Sequence, residues 1–282
     1  MADPTSDVIA AHAARLPALD DRWVPAPSGR EALRRGLLDG AVAGTATHPL
    51  DNVRGNALML NEGDPDKLFG LSGLPGVFDL DGILDLVAEA AGAPIDHDAR
   101  YGPVDIRPEP ILAACEALGD RLAAAARAGQ TLLVATGHPI GLSLLYREIA
   151  RLAADHGARV LEPPEDLRWR DAHLPHDWFV DRFDGVALLT DGREPRHTHS
   201  PAAMERILRD DTPDLVLADH GFAGAAIEAG IETLSVADVN DPALILAKAQ
   251  GRTEVVVVMD DHVAPDAYWP CLQAVAARFA AP

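Results

Sequence analysis

Carboxylates and imidazoles recur where the short apolar runs of this sequence end. TLLVAT (131–136) leads into Gly137 and His138, and LVLAD (215–219) leads into His220. LSVAD ends on Asp238, with Asn240 and Asp241 next, and VVVVMD ends on Asp260, followed by Asp261 and His262. The stretch after GVALLT (185–190) carries His197 and His199. Clustered carboxylates with little Lys or Arg to offset them attract a hard divalent cation through oxygen, Mg²⁺ or Mn²⁺ first. A larger share of imidazole brings in Mn²⁺, Fe²⁺ or Zn²⁺. A cation beside a histidine supports hydrolysis, because the metal polarises an oxygen and activates water while the ring moves protons. Asp219, Asp238, Asp260 and Asp261 are therefore the expected metal ligands. His138, His199, Asp219 and His220 are the expected catalytic groups, and Thr136, Gly137 and Asn240 the expected substrate contacts. THPLDNVRGN (47–56) adds Asp51, Asn52 and Arg54 to the substrate set beside His48, since a guanidinium grips phosphate. Plainer roles exist for each. A lone Asp or Ser after a strand commonly caps the next helix, as Asp241 and Ser200 do by pattern, and the polar side chains of 47–56 also fit a cap and a solvated surface. His-x-His at 197–199 offers two ligands on one face without completing a site.

These residues need a scaffold that brings strand ends together. From Gly129 onward, β-rich runs at 131–136, 158–162, 185–190, 214–219, 232–238 and 254–260 alternate with helical stretches near 140–156, 201–211, 222–230, 241–250 and 265–280. Continuous apolar strands between amphipathic helices predict an α/β fold, a Rossmann-like, three-layer and mostly parallel sheet. In such sheets ligands bind beyond the carboxyl ends of the strands. Residues 185–199 read as a local hairpin about Asp191-Gly192. The stretch 163–184, with its prolines and tryptophans, is a long excursion able to cover a pocket. Residues 1–128 read mostly as helix and loop, a helical N-terminal region or cap, with Ser28 as N-cap of the first helix and further helices over 81–91 and 108–128. Between them NEGDPDKLFGLSGLPG reads as an ordered loop. The division expected is 1–128 and 129–282.

Composition narrows the chemistry. The net charge of −20 repels nucleic acid and anionic membrane, and it repels anionic substrates unless a cation or a local basic cluster reverses the field. No apolar run is long enough to span a bilayer, and MADPTSDVIAAHAARL lacks a secretory pattern, so the cytoplasm is the default location. Cys115 and Cys271 are expected to be buried, reduced thiols. The sequence has two lysines, Lys67 and Lys248, no phosphate loop ending in Gly-Lys-Ser/Thr, no G-x-G-x-x-G and no G-x-S-x-G. P-loop, dinucleotide and serine-hydrolase chemistry are thereby disfavoured. Neither lysine lies beside a strand tip in the sequence.

Three resemblances bear on function. GVFDLDGIL (76–84) resembles the nucleophile motif of the haloacid dehalogenase superfamily, which implies Asp79 as phosphoryl acceptor and Asp81 as acid/base. LVLADHGFAGAAIEAGIETLSV (215–236) resembles that family's metal motif, implying Asp219 on Mg²⁺, and LLVATG (132–137) its phosphate-binding Thr136. Asp79 or Asp81 equally fits a cap on the helix that follows. A helical N-terminal part before a metal-friendly α/β sheet is similar in architecture to the damage-control phosphatases. TGHPIGL with YREIA, ADHGFAGAAIEAG and VADVNDP resemble an actinobacterial family labelled "phosphatase". Together these imply a metal-dependent phosphomonoester hydrolase acting on a small phosphorylated metabolite. The alternative is a Rossmann-like nucleotide or sugar-phosphate binding protein, or an enzyme without hydrolysis. No nucleic-acid or membrane partner is expected, and a homo-oligomer stays open.

Overall fold

Every β-rich run read after residue 129 becomes a strand, and their order in the sheet decides where a ligand can sit. The computed structural model describes residues 21–163, 167–170 and 177–280. Helices come first: α1 (Arg30–Asp39), α2 (Leu50–Glu62), α3 (Pro65–Leu68), α4 (Leu80–Ala91) and α5 (Pro108–Arg127). Among them β1 (Gly44–Thr45) pairs antiparallel with β2 (Asp105–Ile106). The alternation then runs β3 (Thr131–Thr136), α6 (Pro139–Asp155), β4 (Arg159–Val160), β5 (Arg168–Arg170), β6 (Asp177–Phe183), β7 (Val186–Thr190) and α7 (Ala202–Asp210). It closes with β8 (Leu215–Asp219), α8 (His220–Glu228), β9 (Thr233–Ala237), α9 (Ala243–Ala249), β10 (Val255–Val258) and α10 (Trp269–Phe279).

The eight-stranded sheet has the order β10-β9-β8-β3-β7-β6-β5, with β4 beside the first half of β3. Strands β10 to β7 are parallel, and β6 and β5 are antiparallel additions at one edge. Every residue of β7, β8 and β9 is buried, so helices cover both faces. Helices α5, α6 and α10 pack together as one layer, while α7, α8 and α9 form the other. One apolar cluster runs from Trp23 through the sheet to Ala276, so the early helices and the strands share a core. Cys115 and Cys271 are free and buried in it. Among the described residues no helix is long and apolar enough to cross a membrane.

Several local expectations change. The antiparallel partner of β7 lies before it, not after it: β6 and β7 are joined at Asp184 and Gly185, with φ of 47° and 86°, the left-handed pair a tight hairpin needs. The return after Asp191-Gly192 makes a single bridge, Thr190 to Pro195. Within 163–184, β5 and β6 extend the sheet, and residues 164–166 and 171–176 lie outside the described residues, as does the start MADPTSDVIAAHAARL. Gly29, not Ser28, precedes α1, and no side chain caps that helix.

The chain leaves β3 for β7 on one side, then returns past it to β8, β9 and β10 on the other. Adjacent strands whose connections diverge open a crevice beyond their carboxyl ends, here those of β3 and β8.

Candidate functional site

Asp219 ends β8 with its side chain fully buried. Its Oδ1 accepts the Gly137 N–H at 2.7 Å and pairs with His220 Nδ1 at 2.8 Å, tying the exits of β3 and β8 together. His220 opens α8 with φ of 47°, a left-handed conformation costly for a side chain with a Cβ. The loop after β7 crosses these exits because two glycines give way. A Cβ on Gly137 would meet the Thr198 carbonyl oxygen at 2.5 Å, and one on Gly221 would meet the His199 and Ser200 carbonyl oxygens, both at 2.3 Å. Thr198 N–H also donates to the Gly137 carbonyl at 2.9 Å.

That crossing sets three imidazoles together. His197, His199 and His220 each offer a ligand atom, and these atoms lie within 4.8 Å of one another. His197 Nε2 and His199 Nε2 are 3.0 Å apart, a spacing that suits two ligands on one ion. His199 Nδ1 is held by Asp66 Oδ2 at 2.9 Å, and His220 Nδ1 by Asp219, so each ring keeps Nε2 for the centre. His220 Nε2 in turn faces Asp241 Oδ2 at 3.4 Å and Asp261 Oδ2 at 3.8 Å. Phe69, itself at φ 55°, packs its ring against His199 and His220, with centroids 5.0 and 5.3 Å away. A Cβ on Gly224 would lie 2.0 Å from the Phe69 carbonyl oxygen, so only glycine lets α8 seat this closely against residues 64–70.

Burial and the neighbouring His220 charge push His197 down to about 3 and His138 down to about 4, leaving neutral rings with free lone pairs. His199 shifts the same way for the same reasons. Burial also opposes the charge on His220, but its hydrogen bonds to Asp219 and Asp241 outweigh that and hold it well above the usual imidazole range, so a cation would have to displace the Nε2 proton before His220 could ligate. Asp261 is driven well above the carboxylate range by burial and by Asp238, Asp241 and Asp219, against the pull of His220. Asp241 Oδ1, Asp261 Oδ2 and Asn240 Oδ1 are buried with no hydrogen-bond partner among the described residues. Unpaired buried oxygens beside an imidazole cluster are groups that a bound cation or substrate would satisfy.

The remaining expected residues divide between this crevice and its surroundings. Asp238 pairs with His48 Nδ1 at 2.8 Å, and Asn240 Nδ2 donates to Asn52 Oδ1 at 3.1 Å, so α2 reaches the β9 exit. Both oxygens of Asp260 are committed: Oδ2 accepts the Thr47 amide and hydroxyl at 2.6 and 2.7 Å, and Oδ1 accepts His262 N–H at 2.9 Å. Thr136 is buried, and its hydroxyl accepts His138 N–H at 3.0 Å. The His138 ring stands 4.8 Å from that of His197 and 5.9 Å from that of His220. Asp51 is exposed in the first turn of α2, and Arg54 donates to the His97 carbonyl at 2.9 Å.

Asp79 does not end a buried strand, the placement the dehalogenase resemblance requires. Its Oδ1 accepts Gly82 N–H at 2.9 Å as the N-cap of α4, and Asp81 faces His97 Nδ1 at 3.5 Å. Asp241 departs the other way. It makes no cap bond to α9 and turns toward His220 instead. Asp66 and Phe69 were invisible as site residues, because their partners lie far along the chain and nothing local marks them.

A family model described as Phosphatase matches residues 28–281. A Streptomyces coelicolor (strain ATCC BAA-471 / A3(2) / M145) protein named as a phosphatase is 35% identical over 252 residues, covering 87% of this chain and 94% of that protein. No solved structure matches the chain.

Proposed function

Because this chain belongs to the Phosphatase family, we propose that it is a metal-dependent phosphomonoester hydrolase acting on a small phosphorylated molecule. The observation that carries the reading is the convergence of His197, His199 and His220 within 4.8 Å. The residues suit a cation: carboxylates orient two of the rings from behind, and unpaired oxygens of Asp241 and Asp261 stand nearby. Imidazole nitrogen with carboxylate oxygen favours Mn²⁺, Fe²⁺ or Zn²⁺ over the Mg²⁺ that an oxygen-only set would select. When bound, such a cation supplies Lewis-acid polarisation of a phosphoryl oxygen and a more acidic water.

The chain's own groups do the rest. His197, packed against neighbouring imidazoles on one side and open to solvent on the other, gives the centre its outward face, and the knitted exits of β3 and β8 hold the imidazoles still. His138, its ring against those of His197 and His220 and its buried Nδ1 without a hydrogen-bond partner among the described residues, is placed to take and return a proton.

The test is phosphate release from a panel of phosphomonoesters by protein stripped with a chelator and checked by elemental analysis. Turnover should vanish on stripping and return with Mn²⁺ or Zn²⁺ better than with Mg²⁺. His199→Ala should lower kcat by about two orders of magnitude or more. Full turnover by verified metal-free protein would falsify the proposal.

A further inference from the structure

A dianionic phosphoryl group entering this crevice meets the buried carboxylates of Asp219 and Asp241 on a molecule of net charge −20. The charge on His220 is already met by Asp219 and Asp241, so besides a cation some other side chain must carry positive charge to it. The arginines nearby in the fold are committed elsewhere. Arg196 pairs with Asp191 and Glu194, Arg54 with the His97 carbonyl, and Arg147 with Glu148 beneath the Phe183 ring.

Lys67 is placed differently. Its side chain is only 13% exposed, and its Nζ lies 3.0 Å from Asp66 Oδ2, the same oxygen that takes His199 Nδ1 at 2.9 Å. Ammonium and imidazole therefore share one carboxylate oxygen, which fixes the lysine one residue's reach from the histidine centre. Its charge is also felt at Asp241, whose carboxyl is raised by burial but brought down overall by His220, His199 and Lys67. The backbone that carries it is clamped, with Phe69 against two site imidazoles and α8 pressed on the Phe69 carbonyl. Sequence position alone puts Lys67 beside no strand tip, and the fold corrects that.

We propose that Lys67 binds a peripheral oxygen of the substrate's phosphoryl group, making the site selective for dianionic phosphomonoesters. This rests on the phosphatase reading. Lysine acts here as a point charge on phosphate, which exchanges part of its pairing with Asp66 for the ligand.

Calorimetric titration of inorganic phosphate into Mn²⁺-loaded protein tests it, with metal content measured for each sample and melting temperature as the folding control. Lys67→Met should weaken phosphate binding about tenfold or more, with unchanged metal content, while Lys67→Arg keeps most of the affinity. Lys248→Met removes an equal charge from an exposed position on α9 and should change nothing. If the wild type binds phosphate and Lys67→Met binds it equally well, the lysine assignment is wrong and the phosphatase reading stands. If Lys67→Met loses its metal as well, the residue acts through Asp66 and His199, and the binding role is overturned. If fully loaded wild type binds no phosphate, the phosphatase reading fails and takes this inference with it.

Discussion

Asp219 accepts from two strand exits at once, from the Gly137 amide and from the His220 ring. On the proposed function, an asparagine there keeps the shape and an acceptor oxygen but loses the negative charge that would make a cation-bound His220 a strong donor of electron density. A carboxylate behind a ligating imidazole commonly contributes 10- to 100-fold in metal affinity. Asp219→Asn is therefore expected to lower affinity for Mn²⁺ or Zn²⁺ by about that factor, read by competition with a chromogenic chelator. Unchanged affinity would remove Asp219 from the support of the site. At this scale the sequence was legible for placement where a polar residue follows directly on a strand, as at His138, Asp219 and His220. It misled where a local pattern was self-sufficient. Asp241 before Pro242 has every feature of a cap, and only the presence of His220 across the crevice shows its other use.

The loop 69–73 and the C-terminal end of α8 are joined by Glu228, an element-scale clasp. Its carboxylate accepts the Ser72 amide at 3.0 Å and the Ser72 hydroxyl at 2.6 Å, and it pairs with Arg252. The Ser72 bonds foremost, then Arg252, bring its carboxyl from 4.5 down to about 2. A carboxyl depressed in the folded state stabilises at pH above its unfolded value, and that contribution fades as pH falls toward the folded value. The clasp should thus hold fully above pH 4.5 and weaken progressively toward about 2. Its partly exposed position limits the effect to about 1 kcal/mol after solvent screening. Glu228→Gln should flatten the acid limb of a stability-against-pH curve between those values, and an unaltered limb would refute the clasp. Elements themselves were legible in proportion to their burial. TLLVAT maps onto β3 without loss because its last five residues are all buried, whereas DWFVDRF, between β7 and the edge strand β5, mixes charge into its run and hid β6 inside an excursion. Residues 64–70 looked like an ordered loop and nothing more, since the 133-residue gap from Asp66 to His199 leaves no trace in local pattern.

Across the whole molecule, the charge of −20 acts at a longer range than any single contact. A phosphomonoester approaching such a surface is repelled until salt screens it, with a screening length of about 30 Å near 10 mM and about 8 Å near 150 mM. On the proposed function, kcat/KM should rise severalfold as neutral salt is added over that range, the reverse of what a basic, steering surface gives. A monotonic fall would mean that local positive charge dominates the approach. The architecture follows from the same sheet that the alternating runs implied, but the crevice depends on strand order, which no run of residues encodes. The groups gathered there come from residue 66 through residue 261, and the bonded pairs that hold them span the strands on both sides of the reversal. A copy in which β3 and β8 have not paired keeps only His197 and His199, two residues apart in sequence, near each other. On the proposed function such a copy has no turnover, and activity begins only once β8 has paired with β3 and carried His220 across.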